Sequence, residues 1–184
     1  MRSLLILALL TAATVALAQS EPPITRFIPT VAEVGYGCTS NRVAVLVDPL
    51  SAPSESADPN ESAGWLEHAR QGVETTSREA HAVLRYFFGK TNCMVYVNRW
   101  ETDDALREAW NRVASTKPPA GGLPRAGEYV RFSQRDGMHN NIAFRRGRYT
   151  IEVEAPLAAG LDPVKRLVQV LDQTLVAASA RPGK

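Results

Sequence analysis

The sequence predicts an α+β fold: a single domain with elements in the order β-α-β-α-β-β-β-α, giving a mixed sheet of about five strands with helices packed mainly on one face. Three observations carry this. Short apolar runs at residues 43–47 and 93–97 are bounded by turn residues and read as strands. Apolar residues recur at three- and four-residue steps over 63–88 and 162–178, as amphipathic helices require. Residues 128–154 alternate with period two around Asp136-Gly137 and Arg146-Gly147, as strands joined by turns do.

The chain has 184 residues, 45% hydrophobic and 22% charged. These are ordinary globular values and disfavour disorder, collagen and repeat arrays. Residues 1–18 read as an export signal: Arg2 supplies a positive start, Leu4 to Leu10 is unbroken apolar, and Ala16 and Ala18 stand where a signal peptidase reads small residues. The apolar stretch, about 15 residues, is short for a bilayer crossing, so no stable membrane insertion is expected after cleavage. The expected address is secreted or periplasmic. Basic and acidic residues number 21 and 19, a net charge of +2 that falls to +1 without Arg2. No global field draws the protein to nucleic acid.

Residues 19–41 carry Pro22, Pro23 and Pro29 and are expected to enter the domain, 42–180, as an extended segment. Strand 43–47 stops at Asp48-Pro49, and the Ser-, Pro- and acid-rich stretch 49–62 is a loop. A long helix over 63–88 follows, with Leu66, Ala69, Val73, Ala80, Leu84 and Phe87 on one stripe and Gly89 ending it in a left-handed conformation. Strand 93–97 leads to a helix N-capped by Thr102, with Asp103 and Asp104 near its positive end. A Pro- and Gly-rich loop over 117–124 precedes three strands. A two-residue turn at Arg146-Gly147 pairs Phe144 with Tyr149 and Ile142 with Ile151. A three- or five-residue loop near Asp136 keeps face parity; the five-residue version pairs Phe132 with Ile142 and Val130 with Phe144. Asp162-Pro163 opens the last helix.

In an oxidising compartment Cys38 and Cys93 are expected to form a disulfide. If their strands are parallel neighbours, both lie at one sheet end, and closing that loop stabilises by about 4 kcal/mol. No second Cys or His stands at ligand spacing from either, so no metal site and no cofactor are expected. His68 and His81, on one helix but roughly 140° apart, cannot chelate from one face. His139 falls opposite Glu154 in the inferred register, and Asn141 opposite Glu152. A His139–Glu154 pair suits acid–base chemistry and equally suits a cross-strand salt bridge. Glu152 and Glu154 share a face, a weak glycosidase signal. Asn60-Glu61-Ser62 matches a glycosylation triplet. No Gly-x-Ser-x-Gly, thiol-protease set or phosphate loop is present.

Charge is uneven. Residues 125–148 hold six arginines against Glu128 and Asp136, while 43–69 hold five acids and no Lys or Arg. The sequence therefore reads as a non-catalytic exported binding domain. It would contact an anionic ligand or an envelope protein through Arg131, Arg135, Arg145 and Arg148 of the hairpin region. The alternative is a small extracytoplasmic hydrolase using His139 and Glu154 on an anionic substrate.

Overall fold

A computed structural model describes residues 22–50, 71, 73 and 76–180. The expected leader, the Asn60 triplet, His68 and most of the stretch 63–75 fall outside these residues. Among the described residues six strands form one sheet: β1 (Ser40–Val47), β2 (Arg78–Phe88), β3 (Thr91–Trp100), β4 (Tyr129–Arg135), β5 (His139–Arg146) and β6 (Tyr149–Pro156). Their order is β1-β2-β3-β6-β5-β4, and each neighbouring pair is antiparallel. Helices α1 (Val31–Val34), α2 (Asp103–Arg112) and α3 (Asp162–Ser179) complete the described fold with two 3-10 turns. The class is α+β with helices mostly on one side, as the sequence predicts. The sheet has six strands instead of about five and is antiparallel, not mixed.

The difference arises in the expected helix over 63–88. Its second half is strand β2, in which Ala80, Ala82, Leu84 and Tyr86 face the core while His81 and Arg85 alternate with them. A run of Ala, Val and Leu satisfies the helical and the two-residue period at once. Tyr86-Phe87-Phe88 favours the strand, and the sheet supplies partners on both sides. Gly89 is left-handed as expected, at φ 61°, but it opens the two-residue turn between Phe88 and Thr91.

The same change removes the geometry that argued for a disulfide. Strand β2 lies between β1 and β3, which are therefore not parallel neighbours, and Cys38 and Cys93 are free thiols. Cys93 is fully buried on the core side of β3, and that burial pushes its thiol up to about 12. Burial also raises Cys38, whose thiol donates to the Ser40 carbonyl at 3.6 Å.

Val164, Leu167, Val168, Leu171 and Leu175 of α3 are buried against one sheet face, opposite Ile142, Phe144, Ile151 and Val153. Burying each such side chain contributes about 1.5–3 kcal/mol before entropy, as an upper bound. Asp172 on the same helix binds Arg146 at 2.9 Å and accepts from the Gly127 amide at 3.0 Å, tying α3 to the β5 end. The N-terminal segment is not extended throughout. Its Ile24–Phe27 turn packs on α3, and α1 starts with a capping box between Thr30 and Glu33. Arg99, fully buried, pairs with Asp48 at 2.8 Å, and Asp48 also accepts from the Ile24 amide at 2.7 Å. These bonds fasten the start of the described chain to the ends of β1 and β3.

Helix α2 lies over the opposite face. Thr102 caps its start by accepting from the Ala105 amide at 3.2 Å, as expected. Its other end is held by Arg131 of β4.

Candidate functional site

Three of the four hairpin arginines serve the fold. The Arg131 guanidinium lies 4.7 Å over the Trp110 ring and donates to the carbonyls of Trp110 (2.6 Å) and Val113 (2.8 Å) at the α2 C-terminus, where carbonyls run out of helical partners. Arg145 lies over Tyr129 and donates to Glu128 at 3.3 Å. Arg148 donates to the Trp100 carbonyl at 2.7 Å and pairs with Glu79. Arg135 alone of the four is mainly exposed, its side chain 62% accessible, with Glu154 at 3.4 Å.

The β4–β5 pairing matches expectation, with Phe132 opposite Ile142 and Val130 opposite Phe144. Both strands run one residue further, leaving a three-residue turn with Asp136 and Gly137 left-handed. The β5–β6 pairing is slid by two residues: Arg146 faces Tyr149, Phe144 faces Ile151, and Ile142 faces Val153. A two-residue slide keeps every side chain on its face, so the apolar pattern could not distinguish the two registers. His139 therefore stands opposite Pro156, and Asn141 opposite Glu154. His139 Nδ1 is 3.8 Å from Glu154 Oε1, beyond hydrogen-bond length, and the other carboxylate oxygen faces Arg135.

A cleft of about 470 Å³ opens between α2 and the sheet face beneath it. Its size is in the range of small-molecule sites. Strand alternation turns Asn98, Trp100, Thr150, Glu152, Asn141 and Ser133 to this face, away from the core. They form connected polar pairs. Thr150 Oγ1 accepts from Trp100 Nε1 at 3.0 Å and from Asn98 Nδ2 at 3.5 Å. Asn98 Oδ1 meets His81 Nδ1 at 2.8 Å, and Asn141 Nδ2 donates to Glu152 at 3.0 Å. Arg78 crosses over the Trp100 ring at 5.5 Å.

Two groups at the cleft lack partners: Arg78 Nε and Asn141 Oδ1 are buried without a hydrogen bond. A buried polar atom left unpaired costs about 1–3 kcal/mol, so each is a place where a ligand or water gains. Burial lowers the Arg78 pKa, which Glu152 partly restores. Burial also lowers His81, against the raising effect of its bond to Asn98, so the ring is held toward its neutral form.

The sequence reading did not find this cleft. The sequence pattern puts Arg78 and His81 on a helix and Glu152 on a solvated strand face. The available signal is the repeated polar residue on the non-core face of three strands adjacent in the sheet: Asn98 on β3, Thr150 and Glu152 on β6, and Asn141 on β5.

Among the described residues no group of three or more His, Cys, Asp or Glu side chains could hold a metal ion, and no helix is long and apolar enough to cross a membrane. Comparison with protein-family models, curated proteins and solved structures finds no match to this chain.

Proposed function

We propose that this protein is an exported, non-catalytic binding domain that takes a small polar ligand bearing an anionic group in the cleft under α2. The observation that carries the reading is Arg78, a half-buried guanidinium at the cleft whose Nε has no hydrogen-bond partner. Arginine presents a planar fork suited to carboxylate or phosphate, and low solvent access strengthens each bond it makes. Arg135 at the rim adds a further cation and is the one of the four hairpin arginines expected from sequence that lines the cleft. Arg131, Arg145 and Arg148 support the fold that forms the cleft rather than meeting the ligand. The leader at residues 1–18 supports a secreted or periplasmic address, which cell fractionation of a tagged chain tests.

Calorimetric titration of the full chain with small carboxylates and phosphates, at low and high salt, tests the binding reading. Binding should weaken with salt, vanish in Arg78→Gln and survive in Arg145→Gln. Binding that survives Arg78→Gln and is lost in Arg145→Gln would return the site to the hairpin. A hydrolase centred on His139 draws no support from a 3.8 Å separation at a pair whose carboxylate also faces Arg135.

A further inference from the structure

The charges at the cleft identify more than an anion. Arg112 is paired with Glu108 along α2, and Arg135 with Glu154 at the rim. Among the described residues this leaves one cation and one anion at the cleft without an ion-pair partner, Arg78 and Glu152. They sit on β2 and β6 with β3 between them, Arg78 level with Trp100 and Glu152 level with Tyr96, so their backbones are about 16 Å apart and the side chains must reach toward each other across the cleft. Beside Glu152, Asn141 gives its amide hydrogen to the carboxylate and keeps its own oxygen buried and unpaired. Two acceptors stand together there, a carboxylate and an amide oxygen. The charged group at the other end, Arg78, is a donor.

Resting on the cleft reading above, we infer that the ligand is a small zwitterion, an amino acid or short peptide whose carboxylate meets Arg78 and whose ammonium meets Glu152 and Asn141 Oδ1. A plain anion would satisfy Arg78 but leave Asn141 Oδ1 unpaired and set a negative group near Glu152. A plain amine would do the reverse. A molecule carrying both charges satisfies both ends, and the cleft volume of about 470 Å³ admits one of metabolite size.

Calorimetric titration of the full chain with alanine and alanylalanine, beside propionate, succinate and alaninamide, is the test. At least one of the two zwitterions should bind about tenfold or more tightly than the probes lacking one charge, the loss expected for one charge-assisted hydrogen bond. Glu152→Gln should weaken the zwitterion about tenfold and leave propionate unchanged, while Arg78→Gln should weaken both carboxylates. Circular dichroism and the melting temperature of each variant establish that it is folded. Propionate or succinate binding as well as the zwitterions, with sensitivity to Arg78→Gln, would overturn the zwitterion assignment and leave the anion-binding cleft standing. No binding of any probe by the folded chain would overturn the zwitterion assignment and count against the cleft. The Arg78→Gln arm with phosphate as titrant then decides whether the cleft reading falls as well.

Discussion

Replacing Arg131 by Met separates the reading of this residue as a helix cap from its reading as a ligand contact. Met keeps an unbranched stem against Trp110 and removes the guanidinium. The structure gives that group two bonds, 2.6 and 2.8 Å, to carbonyls at the end of α2, and a stacking distance of 4.7 Å on Trp110. A hydrogen bond to a charged group is worth about 1.5–3 kcal/mol and cation–π contact about 0.5–1 kcal/mol. The site is only partly buried, so water recovers part of the loss, and the terms share one side chain and do not add. A net loss of about 2 kcal/mol is expected, which for a domain of this size lowers the melting temperature by about 4–8 °C. Urea unfolding followed by tryptophan fluorescence reads the same loss as a shifted midpoint at constant slope. Arg135→Met, at an exposed pair, should change stability by less than about 0.5 kcal/mol. If Arg131→Met leaves stability unchanged within that margin and abolishes ligand binding, the cap argument is wrong and the sequence reading of Arg131 is restored.

Two further outcomes follow from buried groups. His81 has a folded pKa lowered first by burial, with Arg78 acting the same way and bonds to Asn98 and Val97 opposing. The unfolded chain therefore binds a proton more readily, so stability is full above the unfolded histidine pKa and falls as pH drops through it toward the folded one. Unfolding free energies at pH 7.5 and 5.5 should differ less in His81→Gln than in the parent; equal differences would refute the assignment. Cys93, buried and pushed up to about 12, should resist iodoacetamide in the native protein at pH 8. After unfolding without reductant, two thiols per chain should react with a disulfide reagent, and none would show that Cys38 and Cys93 are bridged.

The site was legible only in fragments. Glu152, Glu154 and Arg135 were visible as charges on strands, and the sequence placed Glu152 on the non-core face, where the structure also has it. Nothing in the local pattern tells a charge facing open solvent from one facing a helix that crosses above it. Arg131 shows the same blindness in reverse. In sequence it is one of six arginines in a basic stretch, and its role as a cap exists only because α2, some 20 residues earlier, ends over β4.

Elements with local signals are legible in the chain alone: the Thr102-capped helix, the α3 stripe, the three terminal strands and the left-handed Gly89. Each rests on a periodicity or a backbone preference read within a few residues. Tertiary structure decided what depends on partners. It turned residues 78–88 into a strand because β1 and β3 flank them, and it chose between two β5–β6 registers that share one apolar pattern. It also brought Arg78, Asn141 and Glu152 to one cleft. Side-chain alternation assigns a residue to a face but carries no information about what covers that face, and the cleft is a property of the cover.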